Sequence, residues 1–301
     1  MIAMANAREI QSRMKSIQDT MKITNAMYMI SSSKLRKAKK NLAETEPYFY
    51  TLQSEIERIL RHVPDVNNKY FDLRTEVEPE KRKIGYIIVT ADKGLAGSYN
   101  HNIFKEVEEC LEQPGEYKLF VVGEMGRHYF EKKGMEVEHQ FHYTAQNPTM
   151  GRARNIAEKV LEQFKNKELD EVHVIYTKMA GAMATETEQQ KLLPLEKKDF
   201  RNQKIPVDVQ MEQLALSPSA NDVMNNIVPN FIQGFIYGAL VESYSSEHNL
   251  RMLAMEAATK SATKMLHELS IEYNRVRQAA ITQEITEVCS GAKAQKKKKK
   301  K

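Results

Sequence analysis

Residues 8–42 read REIQSRMKSIQDTMKITNAMYMISSSKLRKAKKNL, and their apolar and small residues recur alternately every four and every three positions. This seven-residue period is typical of a coiled coil, because it keeps one narrow stripe of side chains facing a second helix. The stripe consists of Ile10, Met14, Ile17, Met21, Thr24, Tyr28, Ser31, Leu35, Ala38 and Leu42. The helical pattern continues to about residue 62, which predicts a helix of roughly 80 Å at 1.5 Å per residue. A helix of that length needs a partner helix.

A second seven-residue pattern lies near the other end of the chain. Ser217 is the expected N-cap of this helix and Pro218 its first residue. The helical pattern then runs to about Val288, before Gly291. Its stripe consists of Met255, Ala258, Ala262, Met265, Leu269, Glu272 and Val276. Small residues that would let another helix approach closely are Gly234, Gly238, Ala257, Ala258 and Ala262. The two patterns most simply pair as an antiparallel coiled coil within one chain.

The middle of the chain has a different pattern. Five short stretches predict strands, namely KIGYIIVTA (83–91), YKLFVVG (117–123), EVHVIYTKM (171–179), QKLLPLE (190–196) and IPVDVQMEQLAL (205–216). Helical patterns at 100–112, 124–133 and 148–164 alternate with the first three strands, which predicts a partly parallel sheet covered by helices. The predicted organisation is an α/β domain at 82–216, inserted between coiled-coil helices at 1–62 and 217–290, with a basic tail at 291–301.

Composition limits the class of protein. The formal net charge is +5, yet the six lysines at 296–301 account for all of it, and the rest carries −1. Cys110 and Cys289 fit neither a disulfide framework nor a zinc spacing, which favours a reducing compartment. The longest apolar stretch, IVPNFIQGFIYGALV from Ile227, is too short to span a membrane. The first residues resemble neither a signal peptide nor a transit peptide, so we expect a soluble intracellular chain.

The stretch VTADKGLAGSYN at 89–100 joins the first predicted strand to a helix, as many nucleotide sites do. It lacks the glycine spacing and the Lys-Ser/Thr pair of a phosphate loop, and it lacks the third glycine of a dinucleotide fingerprint. The pattern favours a tight turn in which Gly94 and Gly97 supply backbone freedom. Asp92 and Lys93 form a pair beside the helix start, but the sequence places no third group near them.

Other candidates for chemistry are weaker. His139 and His142 would lie on opposite faces of a strand, and Glu186 and Glu188 are most simply part of a solvated loop. No residue pattern indicates a hydrolase, a transferase or a redox enzyme.

Two polar clusters have alternative explanations. Residues 1–40 contain nine Lys and Arg residues against two acidic ones, either as a solvated helix face or as a track for an acidic protein or a nucleic acid. A second cluster crowds the end of the last helix, which either frays into water or inserts into a sheath of other subunits. Its members are Arg275, Arg277, Gln278, Thr282, Gln283 and Glu284.

Three stretches together resemble the gamma subunit of rotary F-type ATP synthases. They are AREIQSRMKSIQDTMKITNAMYMISSSKLRKA, TADKGLAGSYN and SEHNLRMLAMEAATKSATKMLHELSIEYNRVRQAAITQEITEVCSGA. The resemblance implies a bent antiparallel coiled coil that fills the bore of a ring of alternating alpha and beta subunits. It also implies a Rossmann-like α/β domain beside the epsilon subunit and the membrane ring of c subunits. Ion flow turns the c ring and this shaft, which drives the three beta sites through their conformations; the gamma subunit is non-catalytic and needs no cofactor.

The resemblance also implies contacts to the beta subunit. They come from the family patterns K-I-T-x-A-M, R-M-x-A-M and R-Q-x-x-I-T-x-E. The matching positions are Lys22, Met27, Arg251, Arg277, Gln278, Thr282 and Glu284. Because MEQLALSPSAND at 211–222 lacks the aromatic residues that relatives often place there, this chain departs from the family where it would touch the c ring. It also lacks the inserted cysteine pair of redox-regulated relatives, and its lysine tail is outside the family pattern.

Membrane association is expected only through the complex, at the cytoplasmic face of a bacterial plasma membrane or, alternatively, the matrix side of an organelle inner membrane. Two other functions remain as alternatives. A nucleotide-binding enzyme would use the middle domain, and a nucleic-acid binder would use KLRKAKK and the lysine tail. The second is disfavoured because aromatic residues that stack on bases do not alternate with the basic ones.

Overall fold

The structure is a computed structural model that describes residues 2–112, 114–181, 184–200 and 215–298. The long helices are α1 (Ile2–His62) and α5 (Ala220–Lys298). Between them lie β1 (Lys83–Val89), α2 (Tyr99–Leu111), β2 (Glu116–Val122), α3 (Glu124–Lys132), α4 (Met150–Lys165), β3 (Glu171–Met179) and β4 (Thr185–Leu193). Short 3-10 turns occur at Lys69–Phe71, Pro79–Lys81 and Lys197–Phe200. Among the described residues, no helix has an apolar stretch that would cross a membrane.

The chain forms two compact units. Met1–Ile30 and Met252–Lys301 form one, which we call the coiled-coil unit, and Ser31–Arg251 form the other, which we call the sheet unit. Each of the helices α1 and α5 is divided between the two units, at Ile30 in α1 and at Arg251 in α5.

Two contacts fix the direction of the helices in the coiled-coil unit. The hydroxyl oxygens of Thr24 and Thr259 lie 2.8 Å apart, in a hydrogen bond between α1 and α5. Met14 lies ten residues before Thr24 in α1, and it lines a groove together with Tyr273, which lies fourteen residues after Thr259 in α5. Because the two sequences advance in opposite directions, the helices are antiparallel, as the sequence predicted.

The seam of α5 differs in phase from the predicted stripe. Ala258, Met265 and Glu272 are exposed, and the buried or half-buried positions follow another series. That series is Met255, Thr259, Ala262, Leu266, Leu269, Tyr273, Val276 and Ala280. A threonine can lie in the seam here because its hydroxyl bonds across to α1. In α1 the predicted stripe is correct except at Tyr28, which is exposed while the neighbouring Met27 is half-buried.

The sheet unit contains a four-stranded sheet in the order β2-β1-β3-β4. Strand β1 pairs in parallel with β2 and β3, whereas β4 is antiparallel to β3. The alternation of strands and helices was therefore interpreted correctly. Glu186 and Glu188 lie in β4 rather than in a solvated loop, and Lys178 of β3 bonds to Glu188 at 2.7 Å. An edge strand tolerates such residues because one row of its side chains faces water.

Helices cover both faces of this sheet. One face packs against α4 and against the parts of α1 and α5 in this unit, through Ile56, Ile59, Val228, Ile232 and Ile236. The other packs against α2 and α3, through residues such as Ile103, Val107 and Phe130. Strand β1 is consequently apolar in nearly every position, as expected for a parallel strand buried on two sides, whereas β3 also contains charged and polar residues such as Glu171 and Lys178.

The ends of α5 differ from the prediction. The helix begins at Ala220, and the hydroxyl of Ser219 rather than Ser217 accepts a hydrogen bond from the amide of Asp222 at 3.1 Å. It continues through Gly291 to Lys298, because a single glycine costs a helix only about 1 kcal/mol. Most of the strand predicted at 205–216 lies outside the described residues.

Candidate functional site

The seven predicted contact residues lie in three places. Lys22 and Met27 are on α1 near the Thr24–Thr259 pair, and Arg277 and its neighbours are farther along α5 in the same unit. Thr259 and Ala280 are separated by twenty-one residues of helix, which correspond to roughly 30 Å. The structure therefore places two separate clusters of predicted contacts on the coiled-coil unit. Arg251 belongs to the sheet unit.

The cluster near the end of α5 is fully on the surface. Arg277, Gln278, Thr282 and Glu284 are all exposed, and the hydroxyl of Thr282 bonds only to the carbonyl of Gln278, at 2.9 Å, one turn earlier. On α1, Lys22 is exposed and forms an ion pair with Asp19 at 2.8 Å, which lowers the pKa of Asp19. The polar groups of these exposed residues are thus accessible to another protein.

Large apolar side chains accompany these polar groups on the coiled-coil unit. Eight of them are 47–72% exposed, which is unusual for a helix pair surrounded by water. They are Ile23, Met29, Ile30, Met265, Ile271, Ile281, Ile285 and Val288. Their exposure favours insertion into a protein sheath over fraying into water as the explanation of the polar cluster.

Arg251 differs from the other predicted contacts because its side chain is buried. Its Nη2 donates to the carbonyl oxygens of Lys93 and Gly94, each at 3.2 Å, and to Oε1 of Glu247 at 2.5 Å. Its Nη1 donates to Nδ1 of His248 at 3.2 Å. The guanidinium therefore points into the sheet unit. The family pattern, in contrast, predicts that Arg251 contacts the beta subunit.

Burial controls the charges around Arg251. Desolvation raises the pKa of Glu247, and the attraction of Arg251 opposes that change. Desolvation also lowers the pKa of His248 to about 3, with smaller contributions from the positive charges of Arg251 and Lys34. His248 is consequently neutral at physiological pH, which leaves Nδ1 as the acceptor that Arg251 requires.

The 89–100 turn is held by the carboxylate of Asp92. Its Oδ2 accepts from the amides of Ala145 and Gln146, at 3.1 and 3.2 Å, and from the hydroxyl of Thr144. Its Oδ1 accepts from the amide of Glu124, the first residue of α3, at 3.2 Å. Asp92 therefore has several groups that orient it, contrary to the sequence prediction. Its carboxylate lies at a helix N-terminus, where a phosphate would bind in many nucleotide sites.

Glycines near this turn serve close packing. Gly123 has φ +95°, and a Cβ there would lie 2.3 Å from the carbonyl oxygen of Thr90. A Cβ on Gly126 would lie 2.5 Å from the hydroxyl of the same threonine. Within the turn, Gly97 has φ +58°, as expected, but the second left-handed residue is Leu95 rather than Gly94. The turn presents the carbonyl oxygens of Lys93 and Gly94 to the guanidinium of Arg251, whereas a phosphate loop presents amide groups to its ligand.

Comparison with known proteins identifies the family. The chain matches the ATP synthase family over residues 6–295. It is 45% identical to the ATP synthase gamma chain of Ruminiclostridium cellulolyticum, over 96% of this chain and 98% of that one. The gamma chain of Acetivibrio thermocellus is 44% identical, over 97% and 100% of the two chains. This chain belongs to the ATP synthase gamma chain family. A sodium ion specific gamma chain, from Acetobacterium woodii, is 36% identical over 96% of this chain and 98% of that one.

Solved structures support the fold. A rotor chain of the Euglena gracilis mitochondrial ATP synthase has a TM-score of 0.63 at 16% identity, covering 92% of this chain and 99% of that chain. A central stalk and c-ring structure from Tetrahymena thermophila has a TM-score of 0.58 at 24% identity, covering 78% and 99%. As a member of the gamma chain family, this protein is the central shaft of an F-type ATP synthase and a non-catalytic subunit of that complex.

The residues that surround Asp92 and Arg251 were not predicted from the sequence. Glu247 and Arg251 are four residues apart on a helix, a spacing that usually indicates an exposed ion pair. Nothing in the local sequence shows that this pair is buried beneath a turn more than 150 residues away. The signal for Asp92 is clearer, because α3 starts after a glycine that offers no side-chain cap.

Proposed function

We propose that the coiled-coil unit occupies the bore of a ring of alternating alpha and beta subunits, where the polar clusters contact beta. The observation that supports this most strongly is the set of eight exposed apolar side chains on that unit. Covering them by other subunits removes apolar surface from water, at about 25 cal/mol per Å². A paired helix with different residues on each side presents a different surface to each beta subunit as it turns.

The six predicted contact residues on the coiled-coil unit, five exposed and Met27 half-buried, form two levels in this proposal. Lys22 and Met27 form a contact level separate from that of the residues near the end of α5. Each charge-assisted contact that becomes desolvated contributes about 1–3 kcal/mol to coupling. Arg251 remains a proposed coupling residue, but its buried guanidinium is engaged by the chain itself.

The sheet unit would join the shaft to the rest of the rotor. We place it beside the epsilon subunit and the c ring, so that ion-driven rotation of the ring turns the shaft. The chain is then a peripheral protein at the cytoplasmic face of a bacterial plasma membrane, with the matrix side of an organelle inner membrane as the alternative. Its association with the membrane comes only through the complex.

ATP hydrolysis by purified alpha and beta subunits from the same source, with and without this chain, tests the proposal. Adding the chain should assemble a stable complex and raise turnover. Gln278→Ala combined with Thr282→Ala should lower the coupled rate about tenfold or more, since 1.4 kcal/mol corresponds to tenfold. Thr263→Ala is the matched control, because Thr263 is also exposed and bonds only to a carbonyl one turn earlier. If no complex forms, or if the isolated chain hydrolyses ATP, the proposal is wrong.

A further inference from the structure

Strand β3 extends beyond the end of its neighbour β1. The parallel pairing of the two strands stops at Ile175, whereas β3 continues to Met179. On its other side, β3 stays paired with β4 as far as Met179. Backbone groups at the end of β3 that face away from β4 therefore lie past the last pair with β1. Thr177 is buried there, so its amide and carbonyl groups need partners from another part of the chain.

Side chains of α5 supply these partners. The hydroxyl of Ser243 accepts from the amide of Thr177 at 3.2 Å, and the hydroxyl of Ser246 donates to the carbonyl of Thr177 at 3.1 Å. Two residues further along β3, the amide of Met179 donates to Oε2 of Glu242 at 3.2 Å. Alternate residues of a strand direct their backbone groups to the same side, so the three bonds follow one edge of β3. The helix α5 thus takes the place of a neighbouring strand at this edge.

These bonds restrain α5 more tightly than apolar packing does. Glu242, Ser243 and Ser246 fall within about 100° of one another around the helix, at 3.6 residues per turn. Apolar contacts are non-directional, whereas hydrogen bonds depend on distance and angle. The bonds therefore set both the rotation of α5 about its own axis and its position along β3. Both serines are at most 1% exposed, so water does not compete for their hydroxyls.

We propose that Glu242, Ser243 and Ser246 are positioning residues that fix α5 to the sheet, so that the sheet and this helix turn together. Helix α5 continues without a break from these residues into the coiled-coil unit, so it carries their rotation along its length. Loss of the bonds makes α5 easier to twist relative to the sheet and leaves the surface of the coiled-coil unit unchanged. This inference rests on the proposed function, in which alpha and beta subunits hold the coiled-coil unit.

Angular fluctuations of the assembled complex of alpha, beta and this chain test the inference. Tyr117→Cys, at an exposed position of the sheet unit, carries a gold particle in the Cys289→Ser background, and the alpha and beta subunits are immobilised. At limiting ATP the particle pauses, and the variance of its angle within a pause measures how easily the shaft twists. Ser243→Ala combined with Ser246→Ala should raise this variance about twofold or more, because the apolar contacts that remain are non-directional. ATP turnover at saturating ATP should be unchanged.

Matched variants separate these bonds from packing and from folding. Ser245→Ala is the control for the serines, because Ser245 is also buried but its hydroxyl has no hydrogen-bond partner in the part of the chain that the structure describes. Glu242→Gln keeps an oxygen that can accept from the amide of Met179, whereas Glu242→Ala removes it. Val107→Ala lowers stability on the other face of the sheet and leaves the three bonds in place. Of these four variants, only Glu242→Ala should raise the angular variance.

Three results would overturn the inference. An unchanged variance in the double serine variant, together with faster hydrogen exchange at the amide of Thr177, would show that the bonds only satisfy backbone groups. If the double variant does not assemble, Glu242→Ala decides, and an unchanged variance there would overturn the inference. An equal rise in variance with Val107→Ala would show that any loss of stability softens the shaft. Failure of the unaltered complex to rotate would instead overturn the proposed function, and this inference with it.

Discussion

Gly234 and Gly238 should respond in opposite directions to the same substitution. A Cβ on Gly234 would lie 1.8 Å from Cδ1 and 2.5 Å from Cγ of Phe49 in α1, so the whole aromatic ring of Phe49 must move. Carbon atoms in contact prefer 3.5–4.0 Å, and overpacking of this kind typically costs about 1–3 kcal/mol. Alanine has a helix propensity about 1 kcal/mol more favourable than that of glycine, which offsets part of this cost. A displacement of nearly 2 Å nevertheless places the overpacking cost near the upper end of its range. We expect Gly234→Ala to lower the free energy of unfolding by about 1–2 kcal/mol.

Gly238→Ala is the matched control on the same helix, because a Cβ there meets no atom within 4 Å. It should raise the free energy of unfolding by about 0.5–1 kcal/mol. Urea unfolding of the full chain, with hydrogen exchange of amides 228–240, measures both changes. Adding Phe49→Ala to Gly234→Ala should cost less than the sum of the two single changes. Equal stability of the two alanine variants would refute the close packing of α1 on α5 at Gly234.

Three further substitutions test other contacts. The lowered pKa of His248 means that below about pH 6.5 the unfolded chain binds a proton that the folded chain does not. The free energy of unfolding should therefore fall by at most about 2 kcal/mol between pH 6.5 and pH 5. His248→Gln should remove this pH dependence in urea unfolding at the two pH values. Asp92→Ala leaves the amides of Glu124 and Ala145 without their acceptor and that of Gln146 with only the hydroxyl of Thr144, and it should cost about 2–3 kcal/mol in thermal unfolding, whereas an unchanged melting temperature would contradict its role. Thr24→Val leaves the hydroxyl of Thr259 with only the carbonyl of Met255 as a partner and should cost about 1 kcal/mol, and the double change to valine should recover most of it in a double-mutant cycle.

The long helices were predictable because their periodicity is a local property repeated over many turns. The stripe of α1 was correct at nine of its ten positions, with Tyr28 as the exception. In α5 the phase was wrong at Ala258, Met265 and Glu272. The predicted stripe leaves out Thr259, which lies in the seam because its hydroxyl bonds to that of Thr24 in α1. Polar pairs across a seam depend on the partner helix, which local patterns do not show.

The glycines illustrate the same limit. The sequence suggested that both Gly234 and Gly238 allow close approach, but only Gly234 meets a side chain of α1. Gly94 and Gly97 looked equivalent within the turn, yet the left-handed residues are Leu95 and Gly97. Which glycine is needed depends on what packs against it or on the path of the backbone, and both are tertiary properties.

The candidate site was predictable in part. The contacts to the beta subunit stay a prediction from the family pattern, and six of the seven predicted residues lie at least partly on the surface of the coiled-coil unit. Arg251 shares the pattern but is buried, because the 89–100 turn folds over it. A residue pattern records that a position is required, whereas the contacts of the folded chain indicate what it touches.

Rotation of this chain within its complex shows whether it is the central shaft. A gold particle attached to a cysteine introduced at the exposed Tyr117, in the Cys289→Ser background, reports the angle of the chain against immobilised alpha and beta subunits. With ATP, the chain should rotate in one direction and pause at each third of a turn, once for each beta subunit. An assembled complex that hydrolyses ATP at its full rate while this chain stays still would show that the chain is not the rotating shaft.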